Sequence, residues 1–476
     1  MPSKPISFAK TTALGLIAGS ALSLLACTTP ATQQLSYHTP SKTAQDTHQN
    51  HHKQQVVDYT LDNGLRVIIK PQKSPLVMTQ IWYKVGSNDE PVGKGGLSHF
   101  LEHMMFKDSA GIDGDVYDQI VSQVGGSRNA FTTSNYTSYY QLLPANQYPL
   151  GLEIESNRMR GLVFDDEKLA KEKEVVKEER RQRTDDSPMA KAFEEFAPAL
   201  FPDNNNARPI IGYMNEIEGL NKADLQAWYD TYYYANNAVL VIVGGVNVDE
   251  AKHWVQKYFA HLPSRPMPKR PSLHQKSHRG YQHIISHQQV TVPSLLMAFN
   301  TPTIATTDAK EAYALELVSD LLNGSQSARL RKNLLRNKQM VSQINVHYDA
   351  HDFGDGVLMI SATPREGVSL DEVSSAILAQ IDELAYGQIA PHELQRGQVG
   401  LKAALILRND SITGQARSLG QLAVMGLGLD TPEKMPKLLA QIGTTDIQRV
   451  IKKYLTKDNL SVMYVLPKAK PVDDKK

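Results

Sequence analysis

The sequence predicts an α+β protein built from two homologous domains, each a mainly antiparallel sheet packed with helices. Three observations predict it. Strand-like and helix-like segments mix without the strict βαβ alternation of a parallel sheet. A helix–turn–strand unit occurs twice: "ADLQAWYDTYYYANNAVLVIVGG" from Ala223 and "TDIQRVIKKYLTKDNLSVMYVLP" from Thr445. The constant offset of 222 pairs Asp224 with Asp446, Gln226 with Gln448, Tyr232 with Tyr454, Asn237 with Asn459 and Val243 with Val465. Between the copies lies "HLPSRPMPKRPSLHQK" (His261–Lys276), proline-rich and basic as a linker is.

From the N-terminus, Lys4 and Lys10 precede the apolar, small-residue run Thr11–Ala26. That run has the length of a signal peptide and is shorter than a comfortable membrane span. It ends Leu-Leu-Ala-Cys, which resembles the bacterial lipobox, in which the cysteine (here Cys27) is lipidated and becomes the mature N-terminus. The plain alternative is a secretory signal with an incidental cysteine. Thr28, where an aspartate would favour the inner membrane, leans the expectation toward a periplasmic protein anchored at the outer membrane of a Gram-negative bacterium. Residues 28–55 are polar and poor in aliphatics and read as a flexible tether; His48, His51 and His52 read as tether residues.

Globular patterning begins at Val56. "VVDYTLDNGLRVIIK" reads as two strands about an Asp62-Asn63-Gly64 turn. "LVMTQIWYKVG" reads as a strand and "FTTSNYTSYYQLLP" as a strand pair. Asp165–Arg183 reads as a charged helix, "AVLVIVGGV" as a buried strand, and Asp249–Leu262 as a helix. The expected organisation is leader 1–27, tether 28–55, N-terminal domain 56–262, linker 263–276, C-terminal domain 277–468 and charged tail 469–476.

With 51 basic and 50 acidic side chains the chain has no net field to draw nucleic acid or an anionic membrane surface. Its single cysteine excludes an intramolecular disulfide.

The chemistry concentrates in "GLSHFLEHMMFK" (Gly96–Lys107). On a helix, His99 and His103 lie about 40° apart and Glu102 about 60° to the other side of His99, all within one arc of about 100°. Imidazoles four apart can share one zinc ion, and a glutamate between them is placed to act on the zinc's water. The alternative is a pair of satisfied helix histidines and a salt-bridged glutamate. A catalytic zinc needs a third protein ligand. "EKEVVKEERRQR" (Glu172–Arg183) offers Glu172 and Glu179 on one face to within about 20°, with Glu178 about 100° from Glu179. Taken alone, this run also fits a solvated charged face.

His-x-x-Glu-His is the inverted-zincin signature, and the chain resembles the pitrilysin, insulysin and mitochondrial-processing-peptidase family over nearly all of Val56–Pro467. "DNGLRVII", "GGLSHFLEHMMFK", "GGSRNAFTTSNYTSYY" (Gly125–Tyr140) and "EKEVVKEE" carry the resemblance. It implies a zinc endopeptidase whose chain is half of a clamshell-like chamber. Zinc, one per chain, would be held by His99, His103 and Glu179, the last 76 residues beyond His103 where the family has its third ligand. Glu102 would be the general base, and Glu172, seven residues before Glu179, would orient a ligand. Asn129 and Ala130 match the strand on which extended peptides or unfolded segments lie down.

One departure stands out. The family's second half supplies an arginine and a tyrosine seven apart to substrate carbonyls. Here "LRNKQMVSQ" (Leu335–Gln343) keeps Arg336 but has Gln343 at the tyrosine position. The resemblance implies pairing of chains, either a homodimer or a heterodimer with an inactive homologue that carries the Arg–Tyr pair. A non-catalytic assembly or structural subunit on the same scaffold is the alternative function.

Overall fold

A computed structural model describes residues 56–274 and 280–469. The expected leader, Cys27, the tether and all of the tail beyond its first residue lie outside the described residues.

Eleven described strands form two sheets: β1 (Val57–Thr60), β2 (Arg66–Pro71), β3 (Leu76–Tyr83), β4 (Ser127–Thr132), β5 (Thr137–Pro144), β6 (Ala238–Gly244), β7 (Gln282–Gln288), β8 (Ser294–Thr301), β9 (Val341–His347), β10 (Gly356–Pro364) and β11 (Leu460–Pro467). The first sheet runs β1-β2-β6-β3-β5-β4 and the second β7-β11-β8-β10-β9. In each, one neighbouring pair is parallel, β2 with β6 and β7 with β11, and the others are antiparallel. The second order therefore repeats the first without β1. The chain is two sheet-and-helix halves, as the duplication predicts.

Every residue of β6 is buried, because helices cover both sides of its sheet; a strand buried on both faces reads as a continuous apolar run instead of an alternating one. On one face Val67, Ile69, Ile81, Leu240 and Ile242 pack against Phe100, Leu101 and Met104 of the first half's own helix Leu97–Met104. On the other, Ile68, Trp82, Val239 and Val241 pack against Ala416, Leu419 and Ala423, which lie on helix Ile412–Val424 of the second half. The exchange is reciprocal. Ala192, Phe196 and Leu200 of helix Pro188–Leu200 cover Leu296, Ala298, Met463 and Val465 of the second sheet.

The expected helix Asp249–Leu262 is Val248–Phe259, started by the Asn247 side chain accepting from the Asp249 and Glu250 amides. The charged helix spans Asp166–Arg180 and widens into a π-helical turn over Arg181–Asp185. The stretch read as a linker has no helix or strand over 263–274, yet it is pinned. Arg270 donates to both carboxylate oxygens of Asp89, at 2.9 and 2.7 Å, and to the Asn135 carbonyl at 2.8 Å. No helix among the described residues is long and apolar enough to cross a membrane.

Candidate metal centre

Helix Leu97–Met104 begins at Gly96, whose φ is +87°. A Cβ there would come within 2.4 Å of the Ile211 carbonyl oxygen, so the position needs glycine twice over. The helix start is held from below by the buried Glu90, which accepts the Gly96 N–H at 2.9 Å and the Ser98 N–H at 2.7 Å. These are amides that a helix cannot satisfy internally. Burial pushes the Glu90 carboxyl up to about 8 against those two bonds. Phe100, Leu101 and Met104 point into the core, which leaves His99, Glu102 and His103 to face helix Asp166–Arg180 and strand β4.

The ligand atoms of His99, His103 and Glu179 lie within 4.8 Å of one another. Glu179 Oε2 sits 3.2 Å from His103 Nε2 and 3.7 Å from His99 Nε2. His103 Nδ1 is 2.8 Å from Glu172 Oε1, and Lys107 Nζ donates to Glu172 Oε2 at 2.6 Å. A carboxylate at Nδ1 favours the N–H on that nitrogen and turns the Nε2 lone pair toward the cluster. Arg183 takes the remaining Glu179 oxygen at 2.5 Å. Glu178 points to solvent and bonds only Arg181 and Gln182 among the described residues, as helical geometry requires.

Burial, then the neighbouring His103, lowers His99 to about 3, so its imidazole is neutral at neutral pH. Burial also opposes charge on His103, but hydrogen bonds to Glu172 and Glu179 outweigh it and lift the group to about 9. Burial of Glu179 is outweighed in turn by His103 and His99, which hold it at about 2. A cation entering this cluster must displace the His103 proton. Burial raises Glu102, opposed by the Thr132 hydroxyl, which donates to Glu102 Oε2 at 2.5 Å.

The group fits a divalent metal. Two imidazoles and a carboxylate are the donor set of a catalytic zinc. His99 Nδ1 is buried and has no hydrogen-bond partner among the described residues, so no bond at that nitrogen competes with a metal for the ring.

Asn129 and Ala130 lie on β4, which closes one edge of the first sheet beside the motif helix. Its outer side has no strand partner among the described residues, the condition for accepting an extended peptide as an added strand. Arg336 and Gln343 are exposed. Arg336 is in a π-helical turn, Arg331–Asn337, and Gln343 is on the second sheet's edge strand β9. Among the described residues no hydrogen bond or ion pair joins either to the His99–His103–Glu179 cluster. Sequence reasoning missed Lys107, Thr132, Arg183 and Glu90. Lys107 and Arg183 were findable, since each stands four residues beyond a ligand. Thr132 reaches the motif helix from a strand 30 residues on. Glu90 stands just before the helix, 6 residues from Gly96, where helical spacing does not extend.

Residues 66–213 match the family pattern described as "Insulinase (Peptidase family M16)", and residues 219–401 match "Peptidase M16 inactive domain". The chain belongs to the M16 insulinase peptidase family. Among M16 relatives, the zinc protease PqqE of Helicobacter pylori is 26% identical over 415 residues, 86% of this chain and 92% of that protein. A probable mitochondrial-processing peptidase subunit beta of Arabidopsis thaliana is 23% identical, covering 86% of this chain and 78% of its own. A protease structure from Helicobacter pylori superposes with a TM-score of 0.81 at 25% identity, over 87% of this chain and all of that one. The first half of the periplasmic protease PqqL from Escherichia coli matches in fold, with a TM-score of 0.73 at 19% identity over 87% and 92% of the two chains. The "inactive domain" pattern falls mostly on the second half, where the described residues hold no second cluster of metal-ligating groups.

Proposed function

We propose that the chain is a zinc-dependent endopeptidase that hydrolyses extended peptides or unfolded segments. The convergence of His99, His103 and Glu179 on one point, with Glu102 on the same helix face, carries this reading. Zinc bound there would polarise the scissile carbonyl and acidify a water. Glu102 takes the proton of the attacking water and returns it to the leaving amine. The Thr132 hydroxyl holds one Glu102 oxygen and so aims the other. Glu172, backed by Lys107, keeps His103 in the tautomer and orientation a metal needs. Strand β4 would hold the substrate backbone through main-chain bonds at Asn129 and Ala130, which implies loose sequence preference.

The test is cleavage of an unstructured peptide. Activity should vanish with a chelator and return with Zn²⁺; hydrolysis that survives metal removal would refute the reading. Gln343 in place of a tyrosine favours a homologous partner that supplies Arg and Tyr; a homodimer or a monomer would have to tolerate Gln343, which a second copy carries too. A Gln343→Tyr chain that gains no activity, from a wild type already brisk alone, would argue against that need. The leader pattern supports anchorage through Cys27 at the periplasmic face of the outer membrane, and Cys27→Ser should then fractionate as soluble.

A further inference from the structure

The second half follows the first closely enough for residues to be matched. Tyr83 of β3 pairs with Ala238 of β6. At the repeat offset, Leu460 of β11 pairs with Phe299 of β8. The helix after β3 is the motif helix, and the helix after β8 is Ala309–Asn323. Buried Phe100, Leu101, Met104 and Met105 match buried Leu317, Val318, Leu321 and Leu322, each 217 residues later. On that register Glu316 stands where His99 stands and Asp320 where His103 stands.

A cavity of about 40 Å³ opens beside Glu316, walled by Leu405, Leu422 and Met435. Glu316 Oε2 is shut off from solvent and has no hydrogen-bond partner. The Tyr313 hydroxyl, also on the wall, is engaged with His351 Nε2 at 3.1 Å. Arg408 lines the same cavity from an exposed position, and among the described residues no ion pair or hydrogen bond holds its guanidinium. The cavity thus joins one partnerless carboxylate oxygen to an exposed guanidinium. The Glu316 carboxyl also takes the Ala350 N–H and feels the Arg408 charge, and polar Ser418 and Gln421 share the wall with the apolar side chains. A buried acceptor left without a donor is costly, and burial pushes the Glu316 carboxyl up to about 8, with Asp349 adding to the push.

We propose that this cavity binds a small free amino acid, its ammonium on Glu316, its carboxylate on Arg408 and its side chain against Leu405, Leu422 and Met435. A simple ammonium would answer Glu316 but face Arg408. A simple carboxylate would answer Arg408 but face Glu316. A metal ion lacks ligands, since the His99–His103–Glu179 group is the only such cluster among the described residues. By the measure in which one water needs about 10–15 Å³, the enclosed space holds about three or four atoms. That admits the ammonium, Cα and methyl of alanine with the carboxylate outside beside the exposed Arg408, and excludes a leucine side chain. The proposal does not depend on the peptidase reading.

The test is calorimetric titration of the full chain with L-alanine, ethylamine and propionate. Alanine should bind, and the other two should each bind at least about tenfold more weakly, because each loses one charge-assisted contact. Glu316→Gln and Arg408→Ala should each weaken alanine at least about tenfold. Arg408 is exposed, so its variant should melt like the wild type and decides the matter even if Glu316→Gln fails to fold. No alanine binding at millimolar concentration, ethylamine binding as tightly as alanine, or an Arg408→Ala chain that binds alanine like the wild type would each overturn the proposal.

Discussion

Asn237 donates its side-chain N–H to the Tyr232 carbonyl at 2.9 Å, and 222 residues later Asn459 donates to the Tyr454 carbonyl at 2.7 Å. Asp224 accepts the Asn221 amide at 3.1 Å, and Asp446 accepts the Gly443 amide at 3.0 Å. Both halves therefore close the helix–turn–strand unit with the same bonds. Their central helices also bury the same apolar positions. They differ on the face that the core does not claim, which reads His99, Glu102, His103 in the first half and Glu316, Ser319, Asp320 in the second. Packing constrains the shared positions. A few residues on the unclaimed face, together with what the facing helix supplies, decide whether the scaffold holds a metal. Function is grafted onto this fold and is not dictated by it.

The sharpest way to break the comparison is to exchange its chemistry. Glu102→Gln should retain metal and lose peptide hydrolysis by about 10²–10⁴, because an amide cannot accept the proton. Ser319→Ala, at the matching position of the second half, should leave the rate unchanged. Equal effects in a peptide assay would mean that the halves share the work. A smaller loss is expected from the group that orients a ligand: Glu172→Gln should cost about 10–100-fold in zinc affinity, read by chelator competition.

The exchanged helices sharpen the comparison at the level of stability. A Cβ on Gly420 would lie within 2.1 Å of the Trp82 ring, where the second half's helix covers the first sheet. Gly420→Ala should destabilise by about 1–3 kcal/mol, measured by denaturant unfolding. No change there would show that the halves are less tightly interlocked than their contacts suggest.

The smallest effect concerns pH. Lys94 pins the first half's repeat helix through Asp224 at 2.7 Å, whereas in the second half buried Glu311 gathers Lys453 at 2.8 Å together with Arg449 and Tyr454. Burial of Glu311 is outweighed by those partners, which hold it at about 2 against an ordinary 4.5. A depressed carboxyl contributes stability that is full above 4.5 and is lost as pH falls toward 2. The melting-temperature gap between wild type and Glu311→Gln should be flat from neutrality down to about pH 5 and should close in the acid range. A gap as large at pH 3 as at neutrality would assign the loss to packing.

Much of this was legible in the chain. β6 announces itself as seven buried apolar residues, and the 222-residue repeat predicts a second sheet of matching order. His99, Glu102 and His103 follow from helical spacing alone. Glu179 does not, because its charged run looks like any solvated helix until its distance from His103 is compared with a family pattern. The exchange of Pro188–Leu200 and Ile412–Val424 between sheets was invisible, since an amphipathic helix records that one face is buried and not which sheet buries it. Thr132 was hidden for a related reason: its hydroxyl meets Glu102 only because β4 lies beside the motif helix.

The central claim is that the first half alone holds the metal, through His99, His103 and Glu179. The most direct measurement is the zinc content of the purified full chain beside Glu179→Gln and Glu178→Gln. The account predicts about one zinc per chain in the wild type and in Glu178→Gln, since three protein ligands and a water complete one tetrahedral site, and most of it lost from Glu179→Gln. Zinc retained by Glu179→Gln, or lost from Glu178→Gln, would contradict it.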